Sequence, residues 1–417
     1  MKFLIVILAS VLCSNVYAQY KSISISNPSD FERKDELIVL SRNFLETKLG
    51  HIPNGKFIHI FYKNVPKVLQ HDDLDRDGTW DEIVFLQDFS AKEKIVLNLQ
   101  TANNPATVKA VVRAYVRHKH NLKNTFGENL QKDTMPYNNQ PTDFSKQKLA
   151  LFLTEGPAWE NDKVGFRKYF DVRNANDIWG KTTSDMVLDH VGTDPAKSYH
   201  QLDNWGMDIL KVGKSLGAGA LALRIKQNGR DSLIRFGKNA EVTYERISNG
   251  PVRAIFQLVY KNWKYLPNAD PISVTERISI WGGQYFFQNE ISLSDNNAGL
   301  QITTGTIDFY TDKTTNIFTE SYAALCTHGK QSENKDTLGL GIITPVKHFG
   351  SFGFASSGND EIANSFTVNM HTIYPKKYIY RYYAAWAKTD EKFNSKKYFE
   401  SFMRKEGEKF TTKLLIE

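Results

Sequence analysis

The chain has 417 residues with 53 Lys+Arg against 46 Asp+Glu, a formal net charge of +7 with histidine neutral. That mild excess comes without a Lys/Arg run or a recognition-helix pattern, which argues against a nucleic-acid partner. Two cysteines exclude a disulfide framework, and a chain this long buries a large core without one.

The first residues read as a leader. Met1-Lys2 is a short basic start, Phe3 to Leu12 is an apolar run, and Val16-Tyr17-Ala18 precedes Gln19 in the manner of a cleavage site. The run is about half the ~20 residues that a membrane span requires. Leu12 is not the small residue that lipid attachment at Cys13 prefers. The expectation is cleavage after Ala18 and a periplasmic or secreted protein with no membrane span. Cys326 is then the single thiol.

Short β-branched and aromatic segments follow at Lys56–Tyr62, Glu82–Phe89, Lys94–Leu99 and Val108–Val116, punctuated by turn residues, and they predict strands. Between the first two lies His71-Asp72-Asp73-Leu74-Asp75-Arg76-Asp77-Gly78-Thr79-Trp80-Asp81-Glu82. Alternating carboxylates before a glycine suit calcium, which collects six to eight oxygens. The expectation is a structural calcium ion held by Asp73, Asp75, Asp77 and Asp81. The EF-hand glutamate position falls on Val84, and Ile83-Val84-Phe85-Leu86 reads as a buried strand, so the loop would lead into a sheet. His118 and His120 share a strand face, but Arg117 and Lys119 beside them suggest a solvated edge.

From Asn121 to Lys148 the composition turns polar, as in a linker. The expected organisation is a leader at 1–18, a small β-sandwich at 19–120, a linker at 121–148 and a larger antiparallel sandwich at 149–417. In the last of these, Val252–Tyr260, Ile272–Trp281 and Gln284–Leu293 read as successive strands, with a Gly282-Gly283 hairpin turn. Ser395 to Phe410 shows helical spacing through Tyr398, Phe399, Phe402 and Met403.

The segment from Glu155 to Gly219 is crowded with chemically able residues. Strand alternation turns Arg167, Tyr169 and Asp171 to one face, and Phe166, Lys168 and Phe170 to the other. Sugar sites combine aromatic platforms, charged hydrogen-bonding groups and proton-transfer residues. His200 is the expected acid or base because histidine titrates near neutrality, with Tyr199 or Tyr169 as partner and Glu160 as the carboxylate. Arg167, Lys181, Asp208 and Lys211 are candidate substrate holders, and Trp159 and Trp205 candidate platforms. Gly213-Lys214-Ser215 is not a P-loop, because Asp208 stands where the first glycine belongs.

The phrases Trp159-Glu160-Asn161-Asp162, Arg167-Lys168-Tyr169-Phe170-Asp171 and Trp205-Gly206-Met207-Asp208-Ile209-Leu210-Lys211-Val212-Gly213, with the aspartate loop, resemble an exported bacterial family catalogued as domain of unknown function 4861. The resemblance spans most of the chain. It implies a supersandwich of galactose-mutarotase-like type, which polysaccharide lyases also use, and a role in the use of uronate-rich polysaccharides. Fold does not dictate reaction. Three functions fit: β-elimination on acidic oligosaccharides, with His200 or a tyrosine as base and Arg167 or Lys211 offsetting charge; a mutarotase or epimerase; and a noncatalytic glycan-binding protein.

Overall fold

A computed structural model describes residues 21–417 apart from 124, 228, 295–299, 356–360 and 372–376; the leader and Cys13 lie outside the described residues. The fold is mainly β, with a small sandwich, a large antiparallel sandwich and a C-terminal helix.

In the small sandwich, a five-stranded sheet ordered Leu415–Ile416, Lys21–Ser26, Lys94–Ala102, Phe57–Tyr62 and Val65–Pro66 faces a three-stranded one ordered Arg33–Ser41, Glu82–Phe89 and Gln70–Asp72. Alternation does the sorting: Ile23, Ile25, Ile58, Ile60, Leu97 and Leu99 point inward to meet Ile38, Leu40, Ile83 and Phe85. A short helix, Arg42–Leu49, capped by Ser41, also contributes Leu45 to this core; its sequence gave no strong periodic signal.

The large sandwich stacks a nine-stranded antiparallel sheet, running from Thr315–Phe318 to Lys132–Thr134, on two five-stranded sheets. All three send side chains into one core, including Trp159 and Phe166, Phe256 and Tyr382, and Ile302 and Val368. Ile272–Trp281 is a strand with the predicted bounds, whereas Val108–Val116 shortens to Ala114–Arg117. Only Gly283 of the hairpin pair takes positive φ, at 81°.

Two segments sit differently from their sequence assignment. Ala114–Arg117 pairs with Ala158–Asn161, so it belongs to the large sandwich rather than the small one. The supposed linker supplies Lys132–Thr134, which pairs with Glu241–Asn249, and buries Met135. Helix Lys396–Thr411, capped by the Ser395 hydroxyl, lays Phe399 and Met403 against the outer face of the nine-stranded sheet. Gly339 and Gly341 make that approach possible, because a Cβ there would lie 2.6 Å from the Phe399 ring and 2.3 Å from the Met403 methyl. Among the described residues no helix is long and apolar enough to cross a membrane.

Candidate active site

The site is built on one sheet, ordered Gly206–Asp208, Asn176–Lys181, Val164–Lys168, Ala158–Asn161 and Ala114–Arg117. Its inner face carries Val116, Trp159, Phe166, Ile178 and Met207 into the core. Register places Arg117, Glu160, Arg167, Asp177, Lys181 and Asp208 on the opposite face, a concentration of charge almost wholly buried under the 182–205 and 153–156 segments.

Buried charge persists only when it is paired and hydrogen-bonded. The Arg167 guanidinium meets Asp177 at 2.7 Å, Asp208 at 3.0 Å and Glu155 at 3.5 Å. It also donates to the Tyr169 hydroxyl at 2.9 Å, and that hydroxyl donates to Asp177 at 3.0 Å. Burial and the neighbouring Asp177 carboxylate hold Asp208 well above the usual carboxylate range. Burial works against the Arg167 charge, but Tyr169, Asp177, Tyr199 and Asp208 around it outweigh that and hold it well above its ordinary value.

The turn above this cluster is strained. Thr154 and Glu155 both have positive φ, 48° and 66°, a costly conformation for consecutive non-glycine residues and above all for β-branched threonine. Two buried arginines hold it: Arg117 donates to the Leu153 carbonyl at 2.7 Å and the Thr154 hydroxyl at 3.0 Å, and Arg167 donates to the Thr154 carbonyl at 3.2 Å. The turn delivers the Glu155 carboxylate to Arg173 at 2.6 Å.

Beside it opens a cleft of about 320 Å³, at the small end of ligand-sized pockets, lined by Lys148, Glu155, Asp194, Lys197, Tyr199 and His200 among others. The Tyr199 and His200 ring centroids are 4.5 Å apart. His200 Nδ1 reaches Asp208 at 3.4 Å, and Tyr199 faces Arg167, so cleft and buried cluster are continuous. Burial, then the Arg167 charge, pushes His200 below its ordinary value. Burial pushes the Tyr199 phenol up.

Several expected site residues lie elsewhere. Glu160 and Lys181 form a fully buried pair at 2.5 Å. Glu160 also accepts from the Val187 and Leu188 amides at 2.8 Å, and Lys181 donates to the Asn161 and Asp185 carbonyls. They anchor the 182–205 segment and do not line the cleft, so Glu160, Arg167 and His200 do not share one groove. Trp159 is core, packed on Phe166, Phe256 and Phe287. Trp205 is half-buried, edge-on to Trp179 at 5.9 Å, and lines a neighbouring pocket of about 280 Å³. Lys211 is exposed and stands over the Phe309 ring, away from the cleft. Asp171 bonds Arg173.

In the aspartate loop, Asp73, Asp75 and Asp81 bring ligand atoms within 4.8 Å of one another, while Asp77 is outside that group and accepts from the Thr79 amide at 2.7 Å. His118 corrects a further expectation. It is fully buried rather than solvated.

Glu155, Asp177, Lys148 and Lys197 were not singled out from sequence. All but Lys148 stood in the crowded segment, and the lysines are unremarkable without the fold that gathers them.

The sequence pattern of a family described as Domain of unknown function (DUF4861) matches residues 25–416. A protein of Formosa agariphila bearing the name Uncharacterized protein P7 is 23% identical over 296 residues, covering 67% of this chain and 65% of that protein. Among solved structures, an alpha-mannosidase from Enterococcus faecalis aligns with TM-score 0.49 and 8% identity over 95% of this chain and 46% of its own. A glycosyl hydrolase family 38 protein from the same species aligns with TM-score 0.48 and 8% identity, over 95% and 47%. The chain thus spans under half the length of those two and less than two thirds of the Formosa protein.

Proposed function

The chain belongs to the Domain of unknown function (DUF4861) family, and from that premise we propose that it is a carbohydrate-active protein that cleaves acidic oligosaccharides by β-elimination. The observation that carries this reading is the pairing, on one cleft wall, of the His200 imidazole with the Tyr199 phenol, ring centroids 4.5 Å apart. His200 is pushed toward its neutral form and Tyr199 toward its protonated one, so at neutral pH one is ready to take a proton and the other to give one.

His200 takes the proton from the carbon beside the uronate carboxyl; that electron pair forms the C4–C5 double bond as the C4–O bond breaks; the Tyr199 hydroxyl protonates the departing oxygen. Charge developing on the carboxylate needs a cation. Arg167 is already saturated by Glu155, Asp177 and Asp208, so Lys148 and Lys197, cleft lysines without an ion-pair partner among the described residues, take the role first given to Arg167 or Lys211.

A mutarotase is the second reading. Asp208 favours it, because a carboxyl that burial and then Asp177 hold well above the usual carboxylate range, 3.4 Å from His200 Nδ1, suits proton exchange around a single ring without cleavage. Incubation with uronate-containing polysaccharides and their oligomers separates the two. Ultraviolet absorbance from a new C4–C5 double bond supports elimination; faster anomer exchange without it supports the mutarotase. If neither occurs and His200→Ala leaves glycan affinity intact while Trp205→Ala abolishes it, the protein only binds.

The reading includes export, checked by an N-terminus at Gln19 in the secreted protein, and a structural calcium ion at Asp73, Asp75 and Asp81.

A further inference from the structure

The extension of strand Ala114–Arg117 and the edge strand Lys132–Thr134 meet where the two layers of the large sandwich adjoin. Three metal-ligating side chains converge there, outside the cleft. His118 and His120 both bring Nε2 to 2.7 Å from the same atom, Asp133 Oδ2. The other Asp133 oxygen accepts from the Thr134 amide at 2.8 Å, which fixes the carboxylate. His118 is fixed by packing: its ring stacks on Phe152 at 5.1 Å and lies 5.0 Å from Phe170 and 4.7 Å from Tyr244. Tyr244 is the register partner of Asp133, so one strand pairing positions both the carboxylate and the ring that braces the histidine.

We propose that His118, His120 and Asp133 form a binding site for a divalent transition metal of the zinc class, which ties the 121–148 segment to the large sandwich. Two imidazoles and one carboxylate select zinc-type ions over calcium or magnesium. Three protein ligands leave a fourth, open position, and His120, 36% exposed, provides the approach from solvent. With metal–ligand distances of about 2.0–2.1 Å, ligand atoms on a tetrahedral ion lie about 3.3 Å apart. The observed 2.7 Å separations therefore need to open by only about 0.6 Å, a small rotation of the part-exposed His120 and the partly buried Asp133 while His118 stays still. The site is chemically distinct from the aspartate loop, whose donors are all carboxylates.

The test uses the tag-free full chain stripped with chelator and titrated with zinc chloride alone. The expected result is one equivalent bound at micromolar or lower concentration, a raised melting temperature, and, with cobalt in place of zinc, the visible absorption of a low-symmetry site with nitrogen ligands. His120→Ala, at the more exposed ligand, and the isosteric Asp133→Asn should weaken binding by about a hundredfold or more, exceeding the loss typical for residues that merely orient ligands. Asp75→Asn should bind zinc unchanged. No stoichiometric zinc binding to the wild-type chain overturns the proposal without recourse to any variant. Binding undiminished in His120→Ala, or lost in Asp75→Asn instead, overturns it equally.

Discussion

Replacing Lys181 with methionine tests whether the buried pair under the 182–205 segment is structural. Lys181 and Glu160 are both fully buried, so deleting the ammonium leaves the Glu160 carboxylate out of water with no counter-charge. Removing one partner of such a pair typically costs about 3–5 kcal/mol. Two features bear on the magnitude. The Val187 and Leu188 amides still donate to Glu160, which softens the loss, while the Asn161 and Asp185 carbonyls lose their donor, which adds to it. At about 2–4 °C per kcal/mol for a domain of moderate size, Lys181→Met should lower the melting temperature by roughly 6 °C or more, followed by circular dichroism. Adding Glu160→Gln should restore much of that, since the amide oxygen still accepts from Val187 and Leu188 and no charge is stranded. A Lys181→Met chain that melts within about 2 °C of the wild type would refute the argument, and so would a double variant less stable than the single one.

Other outcomes follow from particular environments. Because His200 must be neutral to act as base and is held below its ordinary 6.5, turnover should fall as the medium is acidified through a midpoint under 6.5; with the Tyr199 phenol raised above its ordinary 10, the alkaline loss should have its midpoint above 10. A pH–rate profile with its acid limb above 7 contradicts that assignment. His200→Ala should cost about a hundredfold or more in turnover with unchanged melting, and a smaller kinetic loss would remove it from the chemistry. Cys326 is buried with its thiol pushed up to about 12, so alkylating reagents should label it only after denaturation; labelling of the native chain at a comparable rate would count against this packing. Calcium should raise the melting temperature of the chelated protein, and Asp75→Asn should abolish that response; an equal response in the variant would leave the loop an acidic turn.

Where apolar alternation was strong, sequence sufficed. Ile272–Trp281 and helix Lys396–Thr411 were legible because each buries one side against a neighbour, and that need is written into every second or every third and fourth residue. The parity of Arg167 and Tyr169 was legible for the same reason. What failed was the inference from residue charge to exposure. Arg117 lies beside His118 and suggested water, yet its guanidinium is buried because four backbone or hydroxyl oxygens of the 153–156 and 188 region close around it. Glu160 and Lys181 looked like substrate groups for want of any sign that they would find each other across two strands. The strained Thr154-Glu155 turn left no trace either, since left-handed backbone is usually announced by glycine or asparagine.

Strand Leu415–Ile416 completes the sheet that begins with Lys21–Ser26, through reciprocal amide bonds between Ser24 and Glu417. Those two residues are 393 positions apart. During synthesis, therefore, the outer edge of the first sheet stands open while the whole large sandwich is being made. Arg33 deepens the dependence, since its guanidinium, sealed in the small sandwich, donates to the Lys409 and Thr412 carbonyls. Until those carbonyls arrive, Arg33 has only its Asn27, Ser29 and Glu36 partners and an edge strand lacks its neighbour, a combination that invites pairing with another nascent chain. The small sandwich is begun before the large one and finished after it.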